Sequence, residues 1–263
     1  MKYNQLWRDV LVLDTECTHA DPTQAEIVEL AVATWDKTWQ YECELFGSQQ
    51  PMPPEASAVT HIHPDALVDL PTFVNSPEQV IPMLVSDRNY YVSHNIKYDR
   101  DVLSRNLHQI DPDLAHMVTD PDRWICTLRL SRRAWPQAHS HAQSYLRYWL
   151  NLSVPHDLIS HRAEPDTQVC VHLLDRVVQE LVDQGHLNAN TDLAPQLVRL
   201  TQAPIPVSTW PFGKHKGKSF TDLDTDYLLW CLDNLKYLNE QDPDHDPDLA
   251  EAVRLTLESR LTA

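Results

Sequence analysis

Apolar residues fall in short runs separated by polar punctuation, the pattern of a layered domain. Val10–Leu13 is a short apolar run that ends in acids, and Glu26–Trp35 and Trp39–Phe46 are strand-like stretches joined by the turn Asp36-Lys37-Thr38. Together these three predict an antiparallel meander. Val80–Leu84 reads as the end of a helix, Asn89–Ser93 as a strand, and Asn95 as the cap of a helix running through Leu107. Trp124–Cys126 is a short buried strand leading into an arginine-rich helix. A further helix covers about Ser140–Leu150, and the next covers Glu164–Val182, with Pro165 at an early position where its missing N–H costs nothing.

Strands first, then alternating helix and strand, predict an α/β layer fold on a mixed five-stranded sheet. Gly185 ends the last of these helices, and Leu187–Trp210, with Pro195, Pro204 and Pro206, reads as a connection holding one short helix. The expected organisation is a main domain over 1–186, a linker over 187–208 and a small C-terminal α+β domain over 209–263. Within the last, Gly213 and Gly217 predict a tight turn. Asp226–Leu235 is a helix with Thr225 as its expected cap and Tyr227, Leu228 and Trp230 as its expected core. Asn239–Asp248 is acidic and proline-punctuated, a solvated loop.

A length of 263 residues with 42% hydrophobic content supports one good core and a small second module. No apolar run is long enough for a membrane span, and the start lacks the layout of a signal peptide, so a cytoplasmic protein is expected. Five scattered cysteines without a Cys-x-x-Cys pair argue against a disulfide framework or a thiolate zinc site. The pairs His61/His63 and His139/His141 lack the further ligands that zinc needs. A net charge of −17 excludes nucleic-acid binding by blanket phosphate attraction, so any such contact must be local. Two stretches qualify: Arg123 to His156 has five arginines and no acid, and Ile205 to Lys218 has three lysines and no acid.

Three patterns carry candidate chemistry. Asp14-Thr15-Glu16 places two carboxylates on one side of a strand end, because residues i and i+2 share a face. Ser93-His94-Asn95-Ile96-Lys97-Tyr98-Asp99 sets an aspartate in the first turns of a helix that follows a strand, with Asp101 turned away. His161-Arg162-Ala163-Glu164-Pro165-Asp166 leaves His161 on a loop and Asp166 in the first helical turn. Each alone suits ordinary solvated side chains, but their order and placement are what a two-metal phosphodiesterase site needs.

Asp14-x-Glu16, His94-Asn95-x-x-Tyr98-Asp99 and His161-x-Ala163-x-x-Asp166 resemble the three motifs of the DEDDh 3′→5′ exonuclease superfamily. The segments Trp124–Pro136, Pro211–Lys218 and Tyr227–Trp230 resemble the exodeoxyribonuclease X group within it. The resemblance implies a ribonuclease-H-like fold and a 3′→5′ exonuclease that hydrolyses DNA to nucleoside 5′-monophosphates. It implies two Mg2+ or Mn2+ ions held by Asp14, Glu16, Asp99 and Asp166, with His161 as general base. It also implies substrate contacts at Thr15, Cys17, His61 and Asn95. Two departures stand out: Tyr98 replaces the usual Phe, and Cys17-Thr18-His19-Ala20 lacks the usual glycine.

The turn Gly213-x-x-x-Gly217-Lys218-Ser219 is one residue short of a phosphate-binding P-loop and follows Pro211 instead of a strand. Lys214, Lys216 and Lys218 either grip a strand of nucleic acid or decorate a structural hairpin. DNA is the expected partner. An RNA-trimming exonuclease, a catalytically inactive nucleic-acid or partner-binding module, and a homodimer stay open on these residues.

Overall fold

The computed structural model describes residues 3–242 and 245–261. The chain divides into two compact units between Thr201 and Gln202. In the first, β1 (Val10–Cys17), β2 (Ile27–Asp36) and β3 (Thr38–Leu45) form the antiparallel meander, and β4 (Tyr90–Ser93) and β5 (Trp124–Cys126) add in parallel beside β1. The sheet order is β3-β2-β1-β4-β5. Lys37, at φ 64°, makes the turn between β2 and β3.

Among its described residues this unit has the helices α1 (Asn4–Asp9), α2 (Pro54–Thr60), α3 (Pro77–Leu84), α4 (Ile96–Leu107), α5 (Pro112–Thr119), α6 (Thr127–Ala134), α7 (Gln143–Trp149) and α8 (Ala163–Asp183). A further helix, α9 (Ala194–Gln202), straddles its end. The side-chain alternation of β1 assigns the layers. Val10 and Val12 pack under α6, α7, α8 and α9, through Leu130, Leu146, Leu174 and Leu197 among others. Leu11 and Leu13 face the other way, onto Met83 of α3, Leu103 of α4 and Ala115 of α5. Helices therefore cover both faces, and burial of these two apolar layers holds the sheet in place.

The same alternation carries past the apolar run. Asp14 and Glu16 continue the face that α8 covers, and Thr15 and Cys17 continue the face of α4. The paired carboxylates thus point toward the helix that carries Asp166. Gly185 ends α8 in the left-handed region, at φ 78°. The segment beyond it does not run free as a linker: Leu187, Leu193, Ala194, Leu197 and Val198 are buried in the first unit's core, where α9 packs.

The second unit contains α10 (Thr225–Asn234) and α11 (Pro247–Leu261) around a core of Trp210, Phe220, Leu223, Leu228, Cys231, Leu249 and Val253. Among its described residues the β pairing is one antiparallel bridge, Thr209 to Ser219. That bridge closes the glycine turn, in which the Trp210 N–H donates to the Lys218 carbonyl and the Gly217 N–H to the Trp210 carbonyl. Gly213 and Gly217 both take positive φ, which a side chain disfavours. Three expectations for this unit change. Asp224, not Thr225, stands at the cap of α10, and the Thr225 hydroxyl accepts from Arg260. Leu228 is core, but Trp230 is 53% exposed. The residues after the acidic loop form α11, which its weak apolar periodicity had not signalled.

Candidate active site

The site is assembled at the ends of β1 and β4 from one helix of each layer. Oxygens of Asp14, Glu16 and Asp166 lie within 4.8 Å of one another. Asp166 reaches them from the first turn of α8, where the His161 backbone N–H donates to its Oδ2 at 2.8 Å. His161 adopts φ 62°, so its exposed ring leaves the helix axis and borders the same hollow as Asp14 and Asp166. This hollow also takes in Asn95, His94, Gln143 and Ser160.

Asp99 stands behind the cluster. It is buried, and its two oxygens accept from Thr15 Oγ1 at 2.8 Å and Ser93 Oγ at 2.6 Å. Asn95 precedes its helix at φ 71° and makes no side-chain cap bond, so its side chain is left facing the hollow instead of closing the helix end.

Crowding and burial act on these acids together. Desolvation, then Asp99, Glu16 and Asp166, push the Asp14 carboxyl well above its ordinary value. Glu16 is pushed up to about 8 by desolvation, Asp166, Glu29 and Asp99, against the opposing pull of Arg162. Asp99 is raised to about 6 by burial, held back by its two hydroxyl donors. Burial raises Asp166 as well, with the His161 N–H opposing. An arrangement that penalises its own negative charge is suited to an added cation, and oxygen-only donors suit a hard divalent ion. The residues fit such a group, with Asp14, Glu16 and Asp166 as its nearest ligands.

Sequence reasoning missed the groups that hold this arrangement in place. Glu29 pairs with Glu16 across β1 and β2 and is buried. Both its oxygens accept from Arg162, the Nε–Oε2 distance being 3.1 Å, and Oε2 also accepts from the Ala163 N–H at 2.8 Å. The start of α8 is therefore bolted to β2 by a forked ion pair between His161 and Asp166. An acid in the otherwise apolar run Ile27–Val32 was the signal. His94, which the sequence offered as a motif residue without a role, is the second such group. Its ring bonds Thr127 Oγ1 at 3.0 Å and the His141 carbonyl at 2.9 Å, and burial lowers it to about 4, so it is neutral at pH 7. It ties β4 to α6 and to the loop before α7.

A second hollow, about 460 Å3, lies on the Thr15/Cys17 side, between the strand end and α2. Thr15, Cys17, Thr18, Ala56, Thr60 and Tyr98 are among its walls. His61 is not. It ends α2 at φ 58° and is exposed. In the glycine-free loop, the Tyr98 hydroxyl donates to the His19 carbonyl, a tether that Phe could not make. The arginine-rich stretch is largely occupied. Arg123 donates to the Asn89, Met117 and Arg88 carbonyls, Arg129 to Thr201, Arg133 to Leu200, and Arg147 to Leu158 and Pro155. Lys214, Lys216 and Lys218 belong to the second unit and are exposed.

A mixed five-stranded sheet flanked by helices, with clustered acids at its strand ends, defines the ribonuclease-H-like class. The model of the exonuclease (RNase T) family matches residues 11–174, and the chain belongs to that family. It is 29% identical to exodeoxyribonuclease 10 of Escherichia coli K12 over 88% of this chain and 93% of that one. It is 26% identical to the DNA polymerase III subunit epsilon of Treponema pallidum, over 72% and 85%. A solved exonuclease X bound to 5′-overhanging duplex DNA superposes with TM-score 0.54 at 28% identity, covering 73% of this chain and 99% of that one. Among the described residues, no helix is long and apolar enough to cross a membrane.

Proposed function

We propose that this protein is a 3′→5′ exodeoxyribonuclease that releases nucleoside 5′-monophosphates with the aid of two magnesium or manganese ions. The observation that carries the reading is the convergence of Asp14, Glu16 and Asp166 within 4.8 Å beside His161. Similarity to an exodeoxyribonuclease over nearly the whole of both chains supports DNA as the substrate.

Asp14, Glu16 and Asp166 would hold one ion, and Asp99 would support a second. Bound there, the ions supply positive charge that activates water and stabilises the leaving 3′ oxygen. His161 sits on its left-handed loop at the mouth of the site and would take a proton from the attacking water. The Asp166 carboxylate is kept in register by the His161 N–H, so the base and the ligand move as one piece. The 460 Å3 hollow accepts the terminal nucleotide along Thr15 and Cys17, and Asn95 contacts it from the other hollow. The three lysines of the second unit offer further contact to nucleic acid. Free cysteines, four of the five buried, suit a reducing compartment such as the cytoplasm.

The test is a 5′-labelled single-stranded DNA and the RNA of the same sequence, each with magnesium, with chelator, and with Asp14→Ala. Stepwise shortening of the DNA that needs both metal and Asp14 is expected. Faster shortening of the RNA would move the substrate assignment, and no shortening of either strand with magnesium or manganese would overturn the catalytic one.

A further inference from the structure

Charge in the second unit is segregated along the chain. Positions 202–221 contain no acid and three lysines, and all eleven acids of the unit lie from Asp222 onward. Its other cations are largely engaged. Arg254 pairs with Glu251 and Glu258, Arg260 braces the Phe220, Thr221 and Leu223 carbonyls, and Lys236 lies over Tyr237. Lys214, Lys216 and Lys218 are exposed, and none of them forms an ion pair with the described acids. The double-glycine turn holds the backbone that presents them.

Aromatic planes lie directly beside this turn. Lys214 Nζ is 5.7 Å from the Tyr227 ring centre, and the His215 ring is 4.5 Å from it. Tyr227 in turn lies nearly parallel to Trp230, with centres 6.3 Å apart and planes at 18°. Trp230 is 53% exposed although its own helix offers a core that takes Leu228 completely. A large flat ring left in water next to unpaired lysines is unfavourable for an isolated surface. Desolvation with Lys218 and Lys214 lowers the His215 imidazole, against the pull of Asp224.

Lysines spaced along a turn, interleaved with stackable rings, are the two elements that hold single strands without regard to sequence. We propose that Lys214, Lys216, Lys218, Tyr227 and Trp230 form a second binding site, for single-stranded polynucleotide, carried by the C-terminal unit. The inference rests on the proposed nuclease reading only for the kind of polymer the chain meets. Binding here needs neither metal nor cleavage. A site of this kind keeps a strand attached between cuts, because a second contact on one polymer acts at high effective concentration.

The experiment is fluorescence anisotropy of a labelled oligothymidylate on the full-length protein in chelator, over a range of salt, with oligouridylate as a second arm. Lys214→Gln/Lys216→Gln/Lys218→Gln is expected to weaken binding and to flatten the log–log salt dependence by about 2, at roughly 0.7 per phosphate contact. Trp230→Ala is expected to weaken binding about tenfold with an unchanged salt slope, since stacking carries no counterion. The matching lysine-to-arginine variant should restore affinity, and circular dichroism checks that each variant is folded. Equal loss on the DNA and RNA arms fits the site. Wild-type affinity and slope in folded lysine and Trp230 variants would overturn it. Failure of the cleavage assay alone would sink the nuclease reading and leave this result standing.

Discussion

The acid centre and the lysine turn treat charge in opposite ways. Around Asp14, like charges are drawn together out of water and raise one another's affinity for protons. In the turn of the second unit, like charges stand in solvent on a glycine-bent loop, where mutual repulsion is screened. The first arrangement stores an electrostatic cost that protons or a bound metal cation relieve. The second costs little and gains only when a polyanion arrives. The difference teaches where precision is needed: the acids are braced by Glu29–Arg162, Ser93 and Thr15, while the lysines have no comparable support.

The sharpest way to break this comparison is to remove one of the acids proposed to hold the cations. Asp14→Ala is expected to lower the cleavage rate by about 10^3-fold or more, measured by single-turnover release of labelled nucleotide, with oligonucleotide affinity in chelator retained. His161→Gln should cost about 10^2-fold in kcat with little change in KM, as loss of a proton acceptor. If that variant kept full kcat, another group would have to be the base.

The brace comes next. Arg162→Met leaves Glu29 charged and buried without its partner, and is expected to destabilise the protein by about 3 kcal/mol. Glu29→Gln should cost less, because Arg162 is about one-third exposed and can turn to water. Both variants should lose activity beyond their loss of folded protein, since they release the start of α8. Urea unfolding beside kcat reads the two effects separately. Equal stability of the variants would show that the pair is not buried as described.

Smaller in size is a pH effect of the metal-free protein. Glu16 is raised from 4.5 to about 8 and Asp99 from 3.8 to about 6. A carboxyl raised in the folded state contributes stability that is full below its unfolded value and is lost as pH rises through its folded value. In chelator, Tm should therefore fall between pH ~4 and ~8, most steeply below ~6 where both groups contribute, and divalent cation should flatten that fall. A flat profile without metal would mean that the carboxylates are farther apart than the structure places them.

Much of the framework was legible from local pattern. Trp124–Cys126 is a strand because three apolar residues in a row can be buried on both faces, and the meander follows from two strand-like runs around Lys37. The candidate acids were legible for a related reason: polar residues that end an apolar strand have one place to go. Helix α11 was not, since its amphipathic signal is weak, and the burial of α9 was not, since it depends on what packs against it. Glu29 was visible only as an oddity in an apolar strand.

What the sequence determined by itself is which residues end each strand and start each helix, because strand alternation and helix punctuation are local. That places Asp14, Glu16, Asp99 and Asp166 at element ends. Only the tertiary structure decided that three of these meet within 4.8 Å while Asp99 stands behind them on two hydroxyls. It alone decided that most of the arginine-rich stretch is occupied by backbone carbonyls and that the lysines and Trp230 are left in solvent. Most of these outcomes depend on partners far along the chain, as Arg123 and Asn89 are, and no local pattern encodes such distances.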